Sequence, residues 1–180
     1  MSTDLATIGG TAGREDTQWY TQGLAATLMS IIATEKTWLD VGAGLGLSRQ
    51  RIEPHGFRCF TQDPAPSLNV DMNCETELIH GFYGVVSAFD VLEHIHEGKS
   101  TAFLDCLKRL SLGHVVLSVP YGAESEYHFT LYTPRKLLLT CARLGRLVCA
   151  YDLFDGKVER KDYLIGSSGA FGGLLIYQTQ

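Results

Sequence analysis

The residues of this 180-residue chain best suited to chemistry fall into four short groups. The first is Trp38-Leu-Asp-Val-Gly-Ala-Gly-Leu-Gly46, an apolar strand pattern that runs into a glycine loop. Glycine lets the backbone turn sharply and approach a ligand with no Cβ between them. The helix expected from Leu47 to Ile52 would add free N–H groups at its start. Several cofactor classes use such a loop, and its details narrow the choice. The spacing is G-x-G-x-G, and Leu47 stands where a dinucleotide fingerprint has its third glycine. Asp40, two positions before Gly42, would repel a pyrophosphate and attract a ligand that carries an ammonium group.

The second group is a pair of carboxylates. Asp63 ends a strand expected at Phe57–Gln62, about 20 residues after the glycine loop, where doubly wound folds place a carboxylate on ribose hydroxyls. The alternative is a turn aspartate before Pro64. Asp71 belongs to a short third strand expected at Leu68–Met72, and either meets an adenine amino group or is simply solvated. The third group is Asp90-Val-Leu-Glu-His-Ile-His96. His94 falls just past the strand expected at Tyr83–Phe89, and histidine suits proton transfer near neutral pH. Its alternative is a structural hydrogen bond at a helix start. His94 and His96, flanked by Glu93 and Glu97, have no Cys or carboxylate partner at a recognised metal spacing, so no metal centre is expected. The fourth group is the loop Pro120–Tyr132, which carries Tyr121 and His128.

The elements that position these groups follow from periodicity. A helix is expected at Thr17–Ala33, with Tyr20, Leu24, Leu28 and Ile31 or Ile32 on one face and Asp16 or Thr17 as cap. Thr37–Val41, Tyr83–Phe89 and Val115–Val119 are apolar runs of strand length, the second continuous enough to be buried on both faces. Ser100 is expected to cap a helix bearing Phe103, Leu104, Leu107 and Leu110. Thr133-Pro134 reads as a cap followed by proline at the first helical position. Leu137, Leu138, Cys141 and Leu144 line the face of that helix, and Gly145 ends it. Leu147–Phe154 and Gly173–Thr179 are two closing strands with no clear helix between them, so the last is expected to run antiparallel. Strands thus alternate with helices along most of the chain. That indicates an α/β, Rossmann-like, doubly wound sheet, mostly parallel, with helices on both faces. Residues 1–16 are expected to form a flexible segment and 17–180 a single domain.

Composition sets outer limits. The chain is 45% hydrophobic and 19% charged, too apolar for a disordered tail and long enough for a self-sufficient core. No apolar run approaches the ~18 to 20 residues of a membrane helix, and Met1–Gly13 lacks the features of a signal peptide. Fifteen Lys plus Arg against twenty Asp plus Glu give a net charge of −5 with no basic cluster of size, so nucleic acid is a poor expectation. Five cysteines without a C-x-x-C pair read as free thiols in a reducing cytoplasm.

Leu39-Asp-Val-Gly-Ala-Gly-Leu-Gly46, Asp63, Phe89-Asp-Val-Leu-Glu-His-Ile95 and Ser118-Val-Pro-Tyr121 together resemble the class I S-adenosylmethionine-dependent methyltransferases. The likeness is greatest to the small-molecule branch that includes ubiquinone-biosynthesis-type O-methyltransferases. The resemblance covers about Thr37 to Leu139 and implies a seven-stranded sheet with the last strand antiparallel. It implies that Gly42, Ala43, Gly44 and Gly46 pack under the methionine part of S-adenosylmethionine. Asp40 would position the loop or the ammonium group, and Asp63 would hold the ribose. Asp71 and Met72 would border the adenine, Phe89 would touch the cofactor, and Tyr20 and Arg14 would belong to a lid. His94, His128 and Tyr121 are the candidates for proton transfer from a small-molecule acceptor. The competing enzyme is an NAD-dependent reductase, since Tyr132 and Lys136 have Y-x-x-x-K spacing. Thr133-Pro134 starts a helix after Tyr132, however, so the two do not share a regular helical face. A non-catalytic cofactor-binding domain is the third reading.

Overall fold

The computed structural model describes residues 14–65, 70–122, 126–154, 157–161 and 170–179. The expected mobility of Met1–Gly13 lies outside them. The chain opens with helix α1 (Arg14–Ile32), so residues 14–16, expected in a flexible segment, are helical instead. Strand β1 (Thr37–Val41) leads through the glycine loop to a four-residue helix, α2 (Arg49–Ile52), and then to β2 (Arg58–Gln62). Strand β3 (Tyr83–Phe89) is followed by the single-turn helix Leu92–His94 and by α3 (Glu97–Leu110). Then come β4 (Ser111–Pro120), α4 (Pro134–Cys141), β5 (Arg146–Phe154), β6 (Lys157–Lys161) and β7 (Gly172–Gln178).

The strands lie in the order β2-β1-β3-β4-β7-β5-β6. Pairing is parallel through β2, β1, β3 and β4 and antiparallel through β7, β5 and β6. The sheet is therefore mixed, with its C-terminal strands reversed. Two differences from the sequence expectation matter. Asp71 and Met72, the described end of the expected third strand, form no strand, and only Met72 makes an isolated bridge, to Gln62. In turn, β6 pairs with β5 at the sheet edge, in a stretch expected to be a connection.

Side chains alternate across the sheet with the period of two that strand geometry demands. Trp38, Val85, Phe89, Val116, Leu174 and Ile176 join α1 residues Ala25, Ala26 and Met29 in one core. Leu39, Val86, Ala88, Val115, Leu117 and Leu175 join Phe103, Leu104, Leu107 and Leu110 of α3 and Leu137 and Cys141 of α4 in the other. Helices thus cover both faces. Helix α4 starts as its sequence requires, with Pro134 at the first turn and Thr133 Oγ1 accepting from the Lys136 N–H at 3.2 Å. Helix α3 does not. It begins at Glu97, and Ser100 lies inside it, buried, with its hydroxyl 3.2 Å from the Tyr132 hydroxyl.

Candidate functional site

Because β1 to β4 run parallel, their C-terminal ends all open on one edge of the sheet, and each of the four sequence groups sits there. At the end of β1 the chain turns through Gly42, Gly44 and Gly46, with φ of 70°, 56° and 70°. A Cβ on Gly42 would stand 2.5 Å from Cγ2 of Val91, so this glycine lets β1 pack against the turn after β3. A Cβ on Gly44 would meet nothing within 4 Å and would fill open space at the loop surface. The loop is tied to β2. Ala43 donates to the Gln62 carbonyl at 2.9 Å, and the Gly44 N–H donates to Oδ2 of Asp63 at 2.9 Å. Asp63 Oδ1 also accepts from the Ala65 N–H at 2.8 Å. An ionised carboxylate offers about four acceptor sites, so two such bonds leave capacity for hydroxyls of a ligand. Three of the four N–H groups of α2 are already used, those of Gln50, Arg51 and Ile52 going to the carbonyls of Leu47 and Ser48.

Asp40 is buried below the loop. Indole Nε1 of Trp38 donates to the Ser87 hydroxyl at 2.8 Å, and that hydroxyl donates to Asp40 Oδ1 at 2.6 Å. Asp40 and Ser87 are register partners on β1 and β3, which puts both on the α1 face of the sheet. Desolvation raises the Asp40 pKa to about 6, although Ser48 and Ser87 pull it down. This chain of bonds ties β1 to β3 below the loop.

Asp71 is placed differently from the expectation. Its carboxylate pairs with Arg49 and accepts from the Thr61 N–H at 2.8 Å. Those bonds hold its pKa below the ordinary value against desolvation. It braces α2 against β2 and is engaged by protein rather than turned to a ligand. Met72 hydrogen-bonds by backbone to Asp63 and packs on the α3-side core. Phe89 is 2% exposed within the α1-side core, and what β3 presents at the open edge is Asp90 and Val91 instead. Asp90 has φ of 54°, a left-handed turn that aspartate tolerates, and accepts from the Ser118 hydroxyl at 2.9 Å. Tyr20 lies on α1 with 38% exposure, whereas the Arg14 side chain is outside the described part.

The groups suited to proton transfer do meet. His94 Nδ1 is 2.8 Å from the Tyr127 carbonyl, and its ring lies edge-on to His128 with centroids 5.0 Å apart. Thr130 donates from its N–H to the Glu93 carbonyl and from its hydroxyl to the Ile95 carbonyl. Three bonds therefore fasten the 126–132 loop to the turn after β3. Tyr121 stands apart from them. Its hydroxyl donates to Asp152 Oδ1 at 3.2 Å, and burial together with that carboxylate pushes its pKa up, away from use as a base. Tyr132 is buried, and Lys136 pairs with Glu97 at 2.9 Å, so these two form no reductase dyad. Sequence reasoning missed Val91, Ser87 and Arg49. The alternation of strand β3 placed Ser87 beside Asp40, but nothing local announced the Arg49–Asp71 pair.

A family model described as "Methyltransferase domain" matches residues 17–155. No curated protein sequence matches the chain. Among solved structures, magnesium protoporphyrin IX methyltransferase from Synechocystis PCC 6803, with bound S-adenosylhomocysteine, is 11% identical at a TM-score of 0.69. That match covers 96% of this chain and 90% of the other. N-methyltransferase NodS from Bradyrhizobium japonicum WM9, also with S-adenosylhomocysteine, is 14% identical at 0.67, covering 99% and 93%. The small RNA methyltransferase HEN1 is 11% identical at 0.72, with 96% of this chain and 26% of that one covered. At such identities the likeness is one of fold.

Proposed function

Since the chain belongs to the methyltransferase domain family and is an S-adenosylmethionine-dependent methyltransferase, we propose that its acceptor is a small molecule bound over the glycine loop. The observation that carries this reading is the open edge itself. Gly44 leaves room for a ligand, Asp63 keeps acceptor capacity beside it, and a proton-handling cluster stands on the neighbouring turn. Met72, bridged to Gln62, and the neighbouring Asp71 border the same edge.

S-adenosylmethionine, when bound, supplies an electrophilic methyl group on a sulfonium, and displacement at that carbon is in line. The protein's part is chiefly to position the partners. In our reading Gly42, Ala43, Gly44 and Gly46 let the backbone pass close under the ligand, with Asp63 accepting from its ribose hydroxyls. Val91 backs the loop. His94 presents its Nε2 to an acceptor proton, because Nδ1 faces a carbonyl that can only accept and must therefore carry the hydrogen. The 126–132 loop, with Tyr127, Phe129 and Leu131 exposed, borders an apolar or aromatic acceptor. Magnesium protoporphyrin IX, named for the cyanobacterial enzyme, is one such molecule. The small RNA named for HEN1 is another class, and the net charge of −5 disfavours a polyanion here.

Calorimetric titration tests the cofactor half of this reading. S-adenosylmethionine should bind and NADH should not. Asp63→Ala should weaken binding by roughly 10-fold or more, the value of a charged hydrogen bond. An unchanged affinity would remove Asp63 from the site. The acceptor half is tested by offering labelled cofactor with panels of hydroxyl- and amine-bearing aromatics and with short RNA. Transfer to RNA alone would overturn the small-molecule assignment.

A further inference from the structure

Helices α3 and α4 pack on the same face of the sheet, and a groove of about 320 Å³ lies between them. Helix α3 lines it with Glu97, Ser100 and Thr101, and α4 with the turn after it supplies Lys136, Thr140 and Arg143. We infer that this groove binds one small polyanion, with its charge on phosphate or carboxylate oxygens, at a site separate from the glycine loop.

The makeup of the groove is the first argument. Positions 97, 100 and 101 share one face of α3, and 136, 140 and 143 share one face of the α4 segment, by the three- and four-residue spacing of helices. Neighbouring helices usually interdigitate along such faces and leave few voids. Here the faces carry hydroxyls and charges, and the space between them is open. Two ion pairs span it. Lys136 Nζ stands 2.9 Å from Glu97 Oε1, and Arg143 donates from Nε and Nη2 to Asp105, each at 2.8 Å. These side chains are part-exposed, with Glu97 at 72%, and exposed pairs are weak enough for a ligand to replace.

Donor capacity is the second argument. A guanidinium has five N–H donors and an ammonium three, so after these pairs Arg143 and Lys136 both keep donors for a ligand. Lys108 Nζ lies 3.0 Å from the Arg143 carbonyl and adds a third cation. Three positive groups thus face the carboxylates of Glu97 and Asp105, on a chain whose net charge is −5. Lys136 and Arg143 rise from backbone positions roughly 10 Å apart along the helical axis. Side chains of that length can converge on a ligand with anionic groups at both ends.

The floor of the groove leads to the acceptor side. Tyr132 and Ser100 are buried there with their hydroxyls 3.2 Å apart. The Tyr132 carbonyl accepts from the Gly122 N–H at 3.0 Å. Ser100 donates to the His96 carbonyl at 3.4 Å, and the His96 ring stacks on Phe129 with centroids 4.0 Å apart. An anion that holds Lys136 and Arg143 together therefore steadies the 126–132 loop through Tyr132 and Phe129. An effector role through that loop rests on the methyl-transfer reading. Anion binding itself does not.

Calorimetric titration with pyrophosphate and with citrate tests the site, with inorganic phosphate as the single-centred comparison. Ionic strength is held fixed, and each titration is run without and with saturating S-adenosylmethionine. One pyrophosphate or citrate should bind per chain, at least 10-fold more tightly than phosphate and equally well in both conditions. Lys136→Gln and Arg143→Gln should each weaken binding by 10-fold or more. Glu97→Gln removes a competing carboxylate and should strengthen it several-fold. Arg135→Gln, at an exposed α4 position outside the groove, should leave it unchanged. Binding of neither probe would overturn the site, and so would displacement by S-adenosylmethionine, which would assign the anion to the glycine loop. Equal weakening by Arg135→Gln would overturn it as attraction to surface charge. Hydrogen exchange at the Thr130 amide should slow when pyrophosphate saturates the site, and an unchanged rate would overturn the link to the loop. Anion uptake retained in protein that binds no S-adenosylmethionine would sink the methyl-transfer reading and leave the groove standing.

Discussion

Asp40 is a carboxylate held where water cannot reach it, and its energetics follow from that. Desolvation raises its pKa from 3.8 to about 6, against the pull of the Ser87 and Ser48 hydroxyls. An acid whose folded pKa lies above its unfolded one binds more protons when folded. Stability therefore falls as pH rises through the window between the two values, and stays lower above it. A shift of this size corresponds to roughly 3 kcal/mol at full ionisation. Asp40→Asn keeps an acceptor for Ser87 and cannot ionise. The stability of Asp40→Asn minus that of the wild type should therefore grow by about that amount between pH 4 and pH 7. Urea titrations at a series of pH values read it, and a difference that does not change with pH would mean Asp40 stays ionised in the fold throughout. The thiols show the same physics without a function. Burial pushes Cys141 up to about 12 and Cys59 further, so neither serves as a nucleophile at neutral pH.

Two turns meet at the site, and one contact couples them. Gly42 ends β1 and lies against Val91, which opens the turn carrying Glu93 and His94. Gly42→Ala should cost about 1 to 3 kcal/mol, because the new Cβ overlaps Val91 and the left-handed backbone disfavours it. Val91→Ala in the same chain should recover part of that loss, since it removes the struck methyls. A double-mutant cycle on denaturant midpoints measures the coupling, and strict additivity would show that the two turns do not press on each other. The same elements show what could be read in advance. Thr37–Val41 and Tyr83–Phe89 appear with the bounds expected, because apolar runs between turn residues carry their own limits. Lys157-Val-Glu-Arg-Lys161 did not read as a strand, because charge is what an edge strand carries and also what a loop carries. His128 joined His94 only through the path of the loop from β4 to α4, and Asp71 found Arg49 across the glycine loop. Such pairings depend on tertiary closure, which local pattern does not encode.

At the scale of the molecule, one sheet carries the site at one end and most of its antiparallel pairing at the other. The proposed cofactor residues hang from β1, β2 and β3, whereas β7 and β5 lie beyond β4 in the strand order, yet β7 is hydrogen-bonded to β4 along seven register pairs from His114 to Pro120. Both cores run across this junction, Leu174 and Ile176 packing in one and Leu175 and Tyr177 in the other. Continuous ladders and shared cores make the parallel and antiparallel halves a single cooperative unit. A ligand that binds only the folded chain should then stabilise strands it never touches. At S-adenosylmethionine about 100 times its dissociation constant, global stability should rise by about 2.7 kcal/mol. Amides that exchange only by global unfolding should then slow by about 100-fold, in β1 and in β7 alike. Native-state hydrogen exchange with and without the ligand measures both strands in one sample. Slowing confined to β1 and the glycine loop, with β7 unaffected, would show that the antiparallel half opens on its own and that the junction at β4 is a hinge of stability rather than a weld.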